Sequence, residues 1–210
     1  VRRLATESGL VVHDGTDAVL GRKCRADDHQ GVAASLPEFP YADVGSLLAA
    51  ASSPQRWLIL DGIQDSFNFG AMLRSAVEFE IEAVLIGTVG QSPVNSQVVR
   101  SSAGAVNHVP IARVDVLAAG VARLKQHGVH VVAASEKASQ TVAAAELAGP
   151  TGIVIGNEGR GVSPAVWELC DEHVRIPTVG RVGSLNAAVA AGILCYEAAR
   201  QRAAGEHSCR

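Results

Sequence analysis

No apolar run in this chain is long enough for a membrane-spanning helix, because charges or glycines interrupt each one. The first residues do not form a basic-then-apolar leader. The four cysteines, Cys24, Cys170, Cys195 and Cys209, are scattered with no Cys-x-x-Cys spacing. That argues against a zinc site or a disulfide framework and makes a reducing cytoplasm the expected setting. A basic excess is also missing: the formal net charge is −3 and the pI about 6.2. This is evidence against a simple electrostatic nucleic-acid binder. Arg22, Lys23 and Arg25 lie close together, but Asp27 and Asp28 follow at once, so the stretch reads as a solvated mixed-charge loop. Familiar catalytic and phosphate signatures are absent too. There is no Gly-Lys-Ser/Thr loop, and the seven histidines have no accompanying nucleophile elbow. Gly156-x-x-Gly159-x-Gly161 reverses the dinucleotide fingerprint and lacks an acidic partner at the expected offset.

What is present is ample core material. Hydrophobic residues make up 48% of 210, enough for one large α/β domain or one domain plus a fragment. Arg2 to Ser8 resembles the tail of a helix, and Gly9 to Val12 is compatible with a short strand. Three or so elements cannot bury a core alone, so residues 1–35 are expected to belong to a larger domain. Ser35 to Tyr41, with Pro37 and Pro40, reads as a linker, and Ser46 to Ala51 as a short helix. From Arg56 strands alternate with helices. Strands are predicted at 57–60, 83–86, 109–112, 130–134, 152–155 and 174–176, with helices at 70–79, 96–103, 114–127, 163–169 and 185–202. Such alternation predicts a parallel sheet covered by helices on both faces. In the last helix Leu185, Val189, Ile193 and Tyr196 share one stripe, and alanines fill much of the rest. The alanine-rich far side is expected to pack closely, against the core or a second subunit.

Three stretches carry candidate chemistry. In Ile153–Gly161 a β-branched strand breaks into three glycines around one carboxylate, Glu158. Glycine lets a ligand approach the backbone closely; the stretch reads equally as a glycine-rich βα turn, with Glu158 and Arg160 as a surface pair. Ser163-Pro164 then has the pattern of an N-cap and a first helical residue. The second stretch runs from Asn68 to Arg74. Six residues advance about 240° round a helix, so these two can converge only if Asn68 sits in the cap or loop. The third is Thr178 to Asn186, where Ser184 has the pattern of an ordinary N-cap.

In combination and in this order, the motifs are specific. The segment from about Arg56 to Arg202 resembles the SpoU/TrmH branch of the SPOUT methyltransferases, enzymes that methylate ribose 2′-hydroxyls of RNA. The likeness rests on Asn68 with Arg74, on Gly156-Asn157-Glu158-Gly159, and on Ile176-Pro177 with Ser184-Leu185-Asn186. Gly183 departs from a frequent serine. His29-Gln30-Gly31 looks like the segment joining the family's accessory RNA-binding domain to the catalytic one. The resemblance implies residues 1–35 as the end of an L30e-like substrate-binding domain, 36–55 as linker and short helix, and 56–205 as the methyltransferase domain. It implies a C-terminal trefoil knot and a cytoplasmic homodimer. The cofactor would be S-adenosylmethionine, held at Gly156, Asn157, Gly159, Ile176, Pro177 and Leu185, with no metal required. Arg74, Asn68, Glu158, Ser184 and Asn186 would form the catalytic set. The implied substrate is a guanosine of large-subunit ribosomal RNA; transfer RNA, or a non-catalytic RNA- or cofactor-binding relative, are the alternatives.

Overall fold

The computed structural model describes residues 1–24, 29–50, 55–181 and 183–208. Arg25, Asp27 and Asp28 of the mixed-charge loop, Ala51, Val182 of the third stretch and Cys209 lie outside them. The chain divides into two compact units, Val1–Phe39 and Pro40–Arg210.

The first unit contains α1 (Arg2–Glu7) and α2 (Asp17–Cys24), neither of which buries a residue. The strand expected at Gly9–Val12 does not form. Gly9 N–H donates to Thr6 O and Leu10 N–H to Ala5 O, so these residues close the end of α1 instead.

The second unit opens with Ala42, whose N–H donates to Ile111 O at 2.9 Å. Asp43 Oδ1 accepts from Ser46 N at 2.7 Å and caps α3 (Val44–Ala49). There follow β1 (Arg56–Asp61), α4 (Ser66–Glu78), β2 (Ala83–Gly87), α5 (Ser96–Ser101), β3 (Ile111–Val114), α6 (Leu117–Gln126) and β4 (His130–Ala134). Then come β5 (Gln140–Thr141), β6 (Thr151–Gly156), α7 (Pro164–Trp167), β7 (Glu172–Arg175) and α8 (Ala187–Ser208). Among the described residues the strands form one seven-stranded sheet, ordered β3-β2-β1-β6-β4-β7-β5. Every pairing is parallel. β3 starts two residues later than predicted: Pro110 has no N–H to give a ladder, and only its carbonyl pairs, accepting from Val84 N.

Side chains alternate between the two faces of a strand. Trp57, Ile59, Ala83, Leu85, Val131, Ala133 and Val154 form one core layer with Val44, Leu48, Val121, Leu124 and Val166, so α3, α6 and α7 cover that face. Leu58, Leu60, Val84, Ile86, Val132, Ile153 and Ile155 are the buried alternate set, on the face where α8 packs on β6 and α4 lies beside α8 and α5. Burying each such side chain contributes about 1.5–3 kcal/mol.

Helices α4 and α8 run alongside each other in the same direction. Ser75 lies opposite Gly192, Phe79 meets Tyr196 edge-on at 5.8 Å between centroids, and Arg202 donates to Phe79 O at 2.9 Å. The stripe of α8 that faces inward is the small one, Ala187, Ala191, Leu194, Cys195 and Ala198. Leu185, just before the helix, and Val189 and Tyr196 on it are exposed. Of the two places open to the alanine-rich side, it takes the core: alanines admit the helix close to sheet and neighbour, and Leu185, Val189 and Tyr196 are left outside.

The crossing of α4 over α5 is tight at Gly70, where a Cβ would collide with Ser101 Oγ and stand 2.8 Å from Val98 O and Ser102 N. Gly70→Ala is expected to lower stability by about 1–3 kcal/mol, read as a shift in the urea unfolding midpoint. An unchanged midpoint would show that this crossing is not under constraint.

Candidate functional site

A wholly parallel sheet places the carboxyl end of every strand on one edge. From β1 the chain steps to β2 and β3 on one side, then crosses to β4 on the other, and β6 later fills the gap between β1 and β4. Ligands bind outside the carboxyl ends of strands at such a reversal. Here that point is the end of β6, the glycine loop.

Gly156 closes β6, and a Cβ on it would overlap the backbone of Gly161 and Val162. The loop is a tight bend: Asn157 N donates to Gly161 O at 3.0 Å, and Gly161 N to Asn157 O at 2.8 Å. Asn157 organises it from within. Its Oδ1 accepts from Gly159 N (3.0 Å) and Arg160 N (3.1 Å), and its Nδ2 donates to Gly62 O at 2.8 Å. Asp61, the last residue of β1, accepts from Ser163 N at 2.6 Å. The loops after β1 and β6 are thus tied at two places.

A second set of bonds joins three separate stretches. Asn186 Oδ1 accepts from Ala188 N (2.9 Å) and Val189 N (3.2 Å), which caps α8. With the oxygen so engaged, the amide nitrogen points outward and donates to Asn68 Oδ1 at 3.0 Å. Asn68 then turns its own Nδ2 to Glu158 Oε1 at 2.8 Å. The orientation of each amide follows from the network: backbone donors fix Asn186, Asn186 fixes Asn68, and Asn68 presents a donor to the carboxylate.

Asn68, Glu158 and Asn186 are therefore in contact, with Asn157 and Gly159 in the same loop. Ile176 and Pro177 follow β7, and Leu185 precedes the α8 cap. Several local expectations need correction. Asn68 is neither cap nor loop: Asp65 caps α4, its Oδ1 accepting from Phe67 N at 2.7 Å, and Asn68 lies in the first turn. Arg74 stands about 240° further round that helix, exposed and without a hydrogen bond or ion pair to any described residue. It does not meet Asn68. Ser184 does not cap α8, since Asn186 does, and it has no hydrogen bond among the described residues. Glu158 pairs with Asn68 rather than Arg160. Ser163 occupies the cap position of α7 with Pro164 behind it, yet its side chain makes no capping bond. Asp61 and Gln91, whose Oε1 accepts from Ile63 N at 2.9 Å, brace the site without a motif to announce them. The only signal for them is position, at the carboxyl end of β1 and in the loop after β2.

The relay predicts different behaviour for two substitutions at one position. Asn186→Ala removes the cap and should cost about 1 kcal/mol. Asn186→Asp keeps the capping oxygen while losing the donor to Asn68, so its urea midpoint should stay near the parent. Equal loss in both would mean that capping is not what Asn186 contributes to stability.

Residues 55–196 match the SpoU rRNA methylase family. A 23S rRNA (guanosine-2′-O-)-methyltransferase RlmB of Vibrio parahaemolyticus is 34% identical over 201 residues, 94% of this chain and 81% of the relative. A Staphylococcus saprophyticus protein named for the TrmH family of tRNA/rRNA methyltransferases is 38% identical over 177 residues, 83% of this chain and 71% of its own. Among solved structures, the SpoU methyltransferase AviRb from Streptomyces viridochromogenes, in complex with AdoMet, superposes with a TM-score of 0.71 at 28% identity. That match covers 79% of this chain and 67% of the other. With its three motif loops gathered at one edge of a parallel sheet, the chain belongs to the SpoU rRNA methylase family.

Proposed function

We propose that this chain transfers a methyl group from S-adenosylmethionine to a ribose 2′-hydroxyl of RNA, with a guanosine of large-subunit ribosomal RNA as substrate. The observation that carries the reading is the Asn186–Asn68–Glu158 relay, which joins all three motif stretches beside the loop at the sheet's reversal point. The Vibrio relative, spanning 94% of the chain, supports the ribosomal substrate. The Staphylococcus relative, whose name covers both RNA classes, keeps transfer RNA as the second reading.

The surrounding residues fit the cofactor. Thr178 to Arg181 and Gly183 to Leu185 are exposed, and none of their backbone groups is hydrogen-bonded to another described residue. That leaves main-chain donors and acceptors free for an adenosyl group, with Gly156, Asn157, Gly159, Ile176, Pro177 and Leu185 as the holding set. When bound, S-adenosylmethionine supplies an electrophilic methyl on a sulfonium. The chain's task is to place the 2′-oxygen in line with it, and positioning of this kind accounts for much of the rate in such transfers. Arg74 keeps its charge at any working pH, since a guanidinium has a pKa above about 12, and is a poor base. Its open guanidinium is suited to stabilising negative charge on the ribose oxygen and holding the adjacent phosphate. Asn68 orients Glu158, and Asn186 orients Asn68; Ser184 remains available to substrate.

The same reading includes a threaded C-terminal knot and a homodimer, the latter supported by exposed Leu185, Val189 and Tyr196 along one side of the α8 region. It also assigns residues 1–35 to an L30e-like accessory domain, consistent with Leu4, Leu10 and Val11 being exposed. Mass-spectrometric mapping of 2′-O-methylation in ribosomal and transfer RNA, from cells with and without the gene, tests the substrate. A missing guanosine mark in large-subunit RNA is expected; an unchanged map would refute the activity. Arg74→Ala should lower methyl transfer by about 10²–10³-fold while leaving the calorimetric affinity for S-adenosylhomocysteine near the parent value. Retained turnover would remove Arg74 from the mechanism.

A further inference from the structure

The loops after β1, β2 and β6 meet beside the relay, and their junction has a feature that the methyl-transfer scheme leaves unused. Ile63 N donates to Gln91 Oε1 at 2.9 Å, and Ser92 N donates to Ile63 O at 2.8 Å, so the β2 loop is braced on the β1 loop. This brace presents Gly90 at φ +68°, a conformation that keeps the position clear of a side chain. A carbon built there as a Cβ would stand 3.7 Å from Arg160 Nη2 and 3.9 Å from Gln64 Nε2. Two N–H-bearing groups from different loops thus flank one open point, close enough for both to donate to a single anion placed just outside it.

Neither group is committed elsewhere. Both side chains are exposed, and neither forms a hydrogen bond or ion pair with a described residue. The backbone of Arg160 is nonetheless fixed, because Asn157 Oδ1 accepts its N–H. Carboxylates of the same loops already have donors: Asp61 takes Ser163 N, Asp65 takes Phe67 N, and Glu158 takes Asn68 Nδ2. Those carboxylates keep their charge, but each is turned to a donor of its own and none is paired with the Arg160 guanidinium.

We infer that Arg160 and Gln64 form a subsite for a backbone phosphate of the RNA substrate, next to the nucleotide whose ribose is methylated; this rests on the RNA methyl-transfer reading. A planar guanidinium matches the paired oxygens of a phosphodiester, and the glutamine amide supplies a further donor on the other flank. Contacts of this class hold a nucleic acid in register without reading its sequence. Arg160 is a binding residue in this scheme, distinct from Arg74.

The test uses the full chain with unmodified large-subunit ribosomal RNA transcript, measuring affinity against salt, methyl transfer, and calorimetric binding of S-adenosylhomocysteine. Arg160→Ala should weaken RNA binding about tenfold and lower the slope of log K against log salt by about one unit. KM for RNA should rise with kcat little changed, and S-adenosylhomocysteine affinity should stay at the parent value. Arg160→Lys should recover the salt slope, and Gln64→Ala should weaken binding while leaving that slope unchanged. An Arg160→Ala protein with parental RNA affinity and salt slope would overturn the subsite, as would one that loses S-adenosylhomocysteine binding instead. A parent chain that binds and methylates no RNA, ribosomal or transfer, would refute the underlying reading rather than the subsite alone.

Discussion

The arrangement of the candidate site depends on the direction of one amide. Asn186 must turn its oxygen toward the first turn of α8, because two backbone donors wait there. Everything further along the relay inherits its polarity from that cap. A helix end, needed for stability in any case, thereby determines which group Asn68 shows to Glu158. Stability of the last helix and orientation of the glycine-loop carboxylate are one constraint, not two.

That constraint works because the elements it joins are rigid. β1 and β6 are paired along their lengths, from Arg56 opposite Thr151 to Asp61 opposite Gly156. Their loops are pinned again by Asp61 to Ser163 and by Asn157 to Gly62. The side-by-side packing of α4 and α8 brings their first turns together at the same edge. Asn68 and Asn186 lie far apart in sequence but meet where the first turn of α4 stands beside the cap of α8.

Much of this architecture could be read from the chain alone. The largely apolar runs at 57–60, 83–86, 130–134 and 152–155 all lie in strands, because a parallel sheet buried on both faces needs continuous apolar segments. Two-residue β5 carries no periodicity and could not be found that way. The glycines around Glu158 mark a candidate loop at a strand exit in the sequence, but the same pattern suits an ordinary βα turn, and only the contacts to Gly62 and Asn68 separate it from one. The position of Arg74 relative to Asn68 was not legible, because it hinges on where α4 begins, and Asp65 moved that start by taking the cap. Which side of α8 faces the core was left open by the sequence for a different reason. Residue size indicates what can be buried, but the closeness of sheet and helix decides what is, and here that closeness selected alanine.

The shared direction of α4 and α8 has an electrical result. Both helices direct their amino-terminal ends, which carry the positive pole of the peptide dipole, at the edge where the motif loops gather. Arg160 adds its charge on the same side. These positive poles and Arg160 stand beside the carboxylates of Asp61, Asp65 and Glu158, so charge at this edge alternates in sign over a few residues and does not simply follow the molecule's net charge of −3. Overall charge and the potential at the working edge are separate properties, and an isoelectric point reports only the first.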